Sequence, residues 1–161
     1  GRNVVFLILY VDDILLIGNH IPLLEQTRSS LKSAFSMKDM GEAQYILGIK
    51  IYRDRSRRLI GLSQRAYIDK VLERFNMNNS KKGSVPMSMG VQLKKSQRAQ
   101  SRKDLEYMRD VPYASAIGSI MYAMTCTRPD VSYALSVTSR HQSNAGPEHW
   151  TAVKNILKYL N

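Results

Sequence analysis

Cysteine is almost absent from this chain. The one thiol among 161 residues, Cys126, cannot form an internal disulfide, which removes the disulfide-framework folds and fits a reducing intracellular setting. The three histidines are scattered, so no cluster has the spacing of a zinc site. Only one long apolar run exists, Val4 to Ile17. It is short for a bilayer crossing and holds Asp12 and Asp13 at its centre, each costing roughly 2.5–3.5 kcal/mol on insertion scales, so no membrane helix is expected. There is no initiator methionine and no charged leader with a cleavage pattern, so the chain is expected to be a segment of something longer. No internal repeat is visible. What remains, at 43% hydrophobic residues, suffices for one globular domain or part of a larger one.

The apolar run is better read as two short buried strands, Val4 to Tyr10 and Ile14 to Ile17, rich in branched residues and separated by a turn that carries the acids. In a straight strand neighbouring side chains point to opposite faces, and two consecutive aspartates could not serve one site. At a hairpin tip that alternation breaks, and both carboxylates can converge. A two-residue turn here lacks Asn-Gly or Asp-Gly chemistry, so backbone strain is expected at Val11 or Asp12. Local chemistry leaves two readings open: a carboxylate pair held for function, or ordinary polar turn residues facing water.

Farther on, Ile21 to Met37 reads as an amphipathic helix with Leu23, Leu24, Leu31 and Phe35 toward the core. Tyr45 to Tyr52 alternates apolar and polar residues, passes a basic loop and returns over Leu59 to Leu62 as a second hairpin. Ser63 to Met77 has Ile68, Val71, Leu72 and Phe75 at helical spacing. Residues 79–111 lose periodicity and gain glycine, proline, serine and positive charge, which predicts an extended connection. Three helices are expected over residues 112–161, with Ala114, Gly118 and Ala123 marking close helix packing. The fold class is therefore α+β.

Charge is concentrated. Of 24 basic and 13 acidic residues, residues 50–103 hold 15 and 3, leaving 9 and 10 elsewhere. A band with an excess of 12 positive charges suits a sugar-phosphate backbone, where neutralised phosphates release counterions. Carboxylates on a hairpin tip together with such a band point to divalent-metal chemistry on nucleic acid. Hard oxygen ligands suit Mg²⁺, which shares its remaining positions with water and substrate phosphates.

Tyr10-Val11-Asp12-Asp13 resembles the signature of reverse transcriptases. The stretches LYVDDILLIG, MKDMGEAQYILGIKI, LSQRAYIDKVLERFNM, VPYASAIGSIMYAMTCTRPDVSYAL and EHWTAVKNILKYL, in this order, resemble the polymerase of copia-type retrotransposons, particularly those of plants, over essentially the whole chain. The resemblance implies RNA- and DNA-templated DNA synthesis in which a primer 3′-hydroxyl attacks the α-phosphate of a deoxynucleotide triphosphate. It implies Asp12 and Asp13 as catalytic ligands of Mg²⁺ or Mn²⁺. Tyr10 and Val11 would lie near the last base pairs, Leu47, Gly48 and Ile49 would hold the primer terminus, and Lys70 and Arg74 would contact phosphates.

By the same resemblance, residues 1–62 form a partial palm with two hairpins, residues 63–78 a thumb-like helix, residues 79–111 a basic connection and residues 112–161 a three-helix region. The family takes a third palm aspartate and basic fingers from an earlier segment, and continues toward an RNase H domain. The partners implied are template-primer, deoxynucleotide triphosphates and the rest of a Pol polyprotein, including fingers, RNase H and integrase, with no membrane. The setting implied is intracellular, in cytoplasmic particles and then the nucleus. Two activities follow as expectations: part of a reverse transcriptase that is inactive alone, or a non-catalytic nucleic-acid-binding relic of one.

Overall fold

The computed structural model describes residues 1–161, and the chain divides into two compact units, residues 1–60 and 61–161. Mixed helices and small antiparallel sheets make it an α+β protein. No helix is long and apolar enough to cross a membrane.

In the first unit, β1 (Val5–Tyr10) pairs antiparallel with β2 (Asp13–Gly18), from Val5 opposite Gly18 to Tyr10 opposite Asp13. α1 (Ile21–Ala34) follows and packs on β2. Leu24 lies over Gly18, where an added Cβ would stand 2.8 Å from the Val4 carbonyl oxygen and 3.1 Å from Leu24 Cγ. A second sheet has the order β3 (Tyr45–Ile46), β4 (Ile49–Asp54), β5 (Leu59–Ser63).

The expected burial of β1 and β2 does not hold. Phe6 is 63% and Leu9 65% exposed, on opposite faces of β1, and no residue of the first unit is fully buried. Two strands and one helix have too little surface to enclose a core. Leu23, Leu24 and Leu31 are half-buried as the helix pattern requires, but Phe35 falls at the helix C-cap and is 60% exposed.

The core lies entirely in the second unit. α2 (Arg65–Arg74), α4 (Tyr113–Cys126), α5 (Ser132–Ser139) and α6 (Pro147–Leu160) enclose Ile68, Leu72, Ile117, Ile120, Leu135, Val153, Ile156 and Leu157. The Phe75 and Tyr113 rings flank Trp150, with centroids 6.4 and 6.3 Å away. The Tyr113 hydroxyl donates to the Thr138 carbonyl at 2.8 Å, and burial pushes its pKa up to about 12. α2 stops at Asn76, whose φ of 54° lets Met77 N–H reach the Leu72 carbonyl and Asn76 N–H the Glu73 carbonyl, a Schellman ending.

Residues 79–111 are less extended than their composition predicts. They contain a 3₁₀ turn (Lys95–Gln97) and the helix α3 (Arg102–Arg109), started by Ser101 Oγ accepting from Asp104 N–H at 3.0 Å. On α4, Ala123 is buried, whereas Ala114 and Gly118 are exposed and a Cβ at Gly118 would meet nothing. The small residues that admit close packing are instead Ala116 and Ala123, spaced with Ile117 and Ile120 on the inward face.

The start of α6 is tied by a histidine. His149 is fully buried; its Nδ1 accepts from Gly146 N–H at 2.9 Å, and its Nε2, which therefore carries the proton, donates to the Lys94 carbonyl at 3.2 Å. The His141 ring stacks on it with centroids 4.0 Å apart. Burial lowers the pKa of His149, against opposing effects of the Lys94 carbonyl and Glu148. His141 is lowered likewise, by burial first and then by His149, Arg140 and Lys95.

Two outcomes follow. Because both folded pKa values lie below the ordinary 6.5, the unfolded chain binds more protons in the window between them. The stabilising contribution is present above about pH 6.5 and is lost as pH falls through the folded values, so urea midpoints followed by helix ellipticity will drop on acidification, and His149→Gln will flatten that dependence. Gly146→Ala places its Cβ against the Gln97 carbonyl oxygen, a backbone atom that cannot swing away. It will cost about 1–3 kcal/mol in the same denaturation measurement.

Candidate active-site hairpin

Val11 and Asp12 are the two residues between paired Tyr10 and Asp13. Val11 has φ 52° and Asp12 has no positive φ, the sign pattern of a type II′ turn, whose first position normally takes glycine. A β-branched side chain there is strained by about 1–3 kcal/mol. Strain was expected at Val11 or Asp12; it sits on Val11, which is also 78% exposed. The turn keeps Asp12 out of the strand alternation, while Asp13 remains in register opposite Tyr10 and shares its face of the sheet.

Asp12 and Asp13 are both exposed, and neither carboxylate takes part in a hydrogen bond or ion pair within the chain. Asp39, Glu42 and Asp54 of the unit are engaged locally, Glu42 by Arg55 at 3.0 Å, while Glu25 lies exposed on α1. Asp39 Oδ1 accepts from Gly41 N–H at 2.9 Å, and this bond, with Arg28 at 3.2 Å, holds its carboxyl below the usual range despite opposing desolvation. Asp54 is held low by Ser56 Oγ at 2.6 Å and Arg57 N–H at 3.0 Å, which close the β4–β5 loop. No group of three His, Cys, Asp or Glu side chains is assembled anywhere. The donor chemistry of the Asp12–Asp13 pair nevertheless fits a hard divalent cation, because Mg²⁺ is commonly held by one or two carboxylates plus phosphate oxygens and water.

The base of the hairpin is fastened by Asn19, which composition and periodicity do not single out. Its Oδ1 accepts from Val4 N–H at 2.9 Å, its Nδ2 donates to the Arg2 carbonyl at 3.1 Å, and its N–H donates to the Val4 carbonyl at 3.2 Å. His20 then caps α1, its Nδ1 accepting from Leu23 N–H at 3.3 Å. An Asn-His pair between an apolar run and a helical pattern is a cap signal that could have marked both residues.

The primer-side residues differ from expectation. Tyr45 to Tyr52 is not one strand: Ile46 pairs with Ile49 across a two-residue turn of Leu47 and Gly48, at φ 52° and 75°. Two positive φ values are the type I′ pattern, and Gly48 serves that conformation rather than a close approach, since a Cβ there would meet nothing within 4 Å. Tyr10, Val11, Asp12 and Asp13 thus share one tip, and Leu47 and Gly48 form another, with Ile49 half-buried beside it. The two tips belong to separate sheets. Lys70 and Arg74 are exposed on α2, in the second unit, outside any ion pair.

Residues 1–89 match the reverse transcriptase (RNA-dependent DNA polymerase) family, and the chain belongs to it. Within that family it corresponds to the reverse transcriptase domain of a retrotransposon Pol polyprotein. Over 99% of its length it is 49% identical to a retrovirus-related Pol polyprotein from the transposon TNT 1-94 of Nicotiana tabacum, and 37% identical to that from the transposon RE1 of Arabidopsis thaliana. It spans 12% and 10% of those two proteins. An uncharacterized mitochondrial protein of Arabidopsis thaliana is 35% identical over 96% of the chain, which covers 60% of that protein. No solved structure matches.

Val11→Gly removes the turn strain without touching either carboxylate. In urea denaturation of the chain followed by sheet ellipticity, the variant will raise the midpoint by an amount corresponding to about 1 kcal/mol.

Proposed function

We propose that this chain supplies two of the metal-binding carboxylates and part of the template-primer contact surface of a reverse transcriptase that copies RNA and DNA templates. The observation that carries the reading is the exposed Asp12–Asp13 pair, free of partners, on a strained tip between two apolar strands. Unpaired carboxylates fastened this way are poised for cations brought by a nucleotide triphosphate. When bound, divalent ions at Asp12 and Asp13 would lower the pKa of the primer 3′-hydroxyl and neutralise charge on the leaving pyrophosphate.

The chain's own residues do the positioning. Asp12, outside the strand alternation, is the principal ligand, and Asp13, locked opposite Tyr10, supports it. Tyr10, 54% exposed on the same face as Asp13, offers its ring edge to the terminal base pair, with Val11 beside it. Leu47, Gly48 and Ile49 offer a second tip to the primer strand, and Lys70 and Arg74 offer unpaired cations to phosphates. The third carboxylate and the triphosphate-binding residues would come from earlier polyprotein segments, whose strands would also cover the apolar faces of β1. Such a polymerase would act within cytoplasmic particles before its DNA product reaches the nucleus.

The 161-residue chain is expected to incorporate no nucleotide with Mg²⁺ or Mn²⁺, and the same chain preceded by its polyprotein segments to extend a primer. Asp12→Asn in the longer protein should reduce extension to background. Extension by the short chain alone, abolished by Asp12→Asn, would show that the carboxylate set is complete without the earlier segments. Extension unaffected by Asp12→Asn in the longer protein would reject the assignment. A longer protein that binds primer-template but extends nothing would favour the non-catalytic relic.

A further inference from the structure

The basic band has two parts of different character. Over residues 50–74 there are eight basic and three acidic residues, and Arg55, Arg57 and Arg65 are paired with Glu42, Asp54 and Asp69. Residues 79–103 carry Lys81, Lys82, Lys94, Lys95, Arg98, Arg102 and Lys103 and no acid at all. All seven are exposed, and none enters an ion pair.

This segment is fastened along one helix. At the C-terminal end of α6, Gly83 N–H donates to the Lys158 carbonyl at 2.8 Å and Asn161 Nδ2 to the Ser80 carbonyl at 3.0 Å. At its N-terminal end, His149 holds the Lys94 carbonyl and the Gln97 amide donates to the Glu148 carboxylate. The backbone at Gln97 and Arg98 is pressed against Gly146, leaving no room for a Cβ. The chain therefore runs antiparallel to the 14-residue α6, a span of about 21 Å. Lys81 and Lys82 stand toward one end, and Lys94, Lys95 and Arg98 toward the other, with half-exposed Lys154 and Lys158 on the helix itself.

Two groups of unpaired cations held about 20 Å apart do not suit one small anion. They suit a polyanion with regular charge, since that distance covers about six phosphate spacings along one strand of a duplex. An anionic bilayer is the poorer match, because residues 79–101 form no amphipathic helix to enter the headgroup layer. We propose that the strip formed by Lys81, Lys82, Lys94, Lys95 and Arg98 along α6 is a nucleic-acid backbone site carried by the second unit and independent of the aspartate hairpin. The proposal rests on the polymerase reading only for the choice of nucleic acid as the polyanion. Exposed Val85, Met89 and Val91 lie within the segment between the two cation groups, where sugar and base faces would meet them.

The test uses the whole chain and a fluorescent primer-template duplex, with anisotropy read between about 50 and 200 mM salt. Replacing the five strip residues by glutamine should weaken binding about 10-fold or more and lower the slope of log affinity against log salt by roughly two to four units. Replacing Arg53, Arg55, Arg57 and Arg58 by glutamine should change the slope less. Five Lys/Arg exchanges at the strip, which keep the charge, should restore it. Lysine acetylation of the unaltered chain, mapped by mass spectrometry, should show duplex protecting Lys81, Lys82, Lys94 and Lys95 more than the exposed Lys32 and Lys38, which have no proposed nucleic-acid contact. That readout needs no variant to fold.

Binding unchanged by the strip variant, a larger loss from the Arg53/Arg55/Arg57/Arg58 variant, or protection of the strip lysines no greater than that of Lys32 and Lys38 would overturn the proposal. A strip variant that loses binding to phosphatidylserine vesicles but not to duplex would overturn it in favour of a membrane. These readouts are of binding alone. Failure of the polymerase reading would appear separately, as primer extension indifferent to Asp12→Asn.

Discussion

The buried face of α6 is the constraint on which the second unit of this chain depends. Seven of its 14 residues are buried, from His149 and Trp150 through Val153, Ile156 and Leu157 to Leu160. That stripe receives Phe75 at the end of α2, Tyr113 at the start of α4 and much of α5. Its N-terminus is completed by His149 in the role more often taken by glutamate or glutamine three residues beyond the cap, with Pro147 preset for the first turn. A buried neutral imidazole satisfies two backbone groups at once without bringing a charge into the core.

The first unit is built on a different principle. It has regular hydrogen bonding, a fastened base, a capped helix and no fully buried side chain. Its strands carry branched and aromatic residues suited to a sheet interior, yet both faces of β1 meet solvent. Local pairing supplies its shape, and apolar contact beyond these residues would have to supply most of its stability. The contrast accounts for a helical body that is self-sufficient in packing and a carboxylate hairpin that is not.

Much of this was legible in the sequence, for reasons that differ by element. The β1–β2 hairpin was readable because two charges interrupt branched apolar residues, and the strain at Val11 because no good turn dipeptide is present. The Leu47–Gly48 turn was hidden, since alternation through Tyr45–Tyr52 looks the same whether the strand continues or folds back. α3 was hidden because five of its eight residues are charged, only Met108 packs against the core, and none is buried. Burial in the first unit was overestimated because composition reports what a strand is suited to, not what covers it. Ala114 and Gly118 misled in the same way: small size permits close packing but does not say which face of α4 turns inward. Local cap signals mark the neighbourhoods of Asn19 and His149, but the Asn19 bonds to Val4 and Arg2 and the His149 bond to Lys94 reach residues 15–55 positions away, which no local pattern carries.

The Asn19 fastening has a mechanical meaning. It grips the hairpin at the end opposite the acids, and six residues of strand separate grip from tip, about 20 Å at the usual rise. The hairpin is a lever with its pivot at Val4 and its load at Asp12. About 3° of play at the pivot displaces the load by about 1 Å, a distance at which, on the proposed role of Asp12, an oriented reaction would lose much of its advantage. Three hydrogen bonds from one side chain and its own backbone, placed where the lever arm is longest, limit angular play at a residue remote from any chemistry.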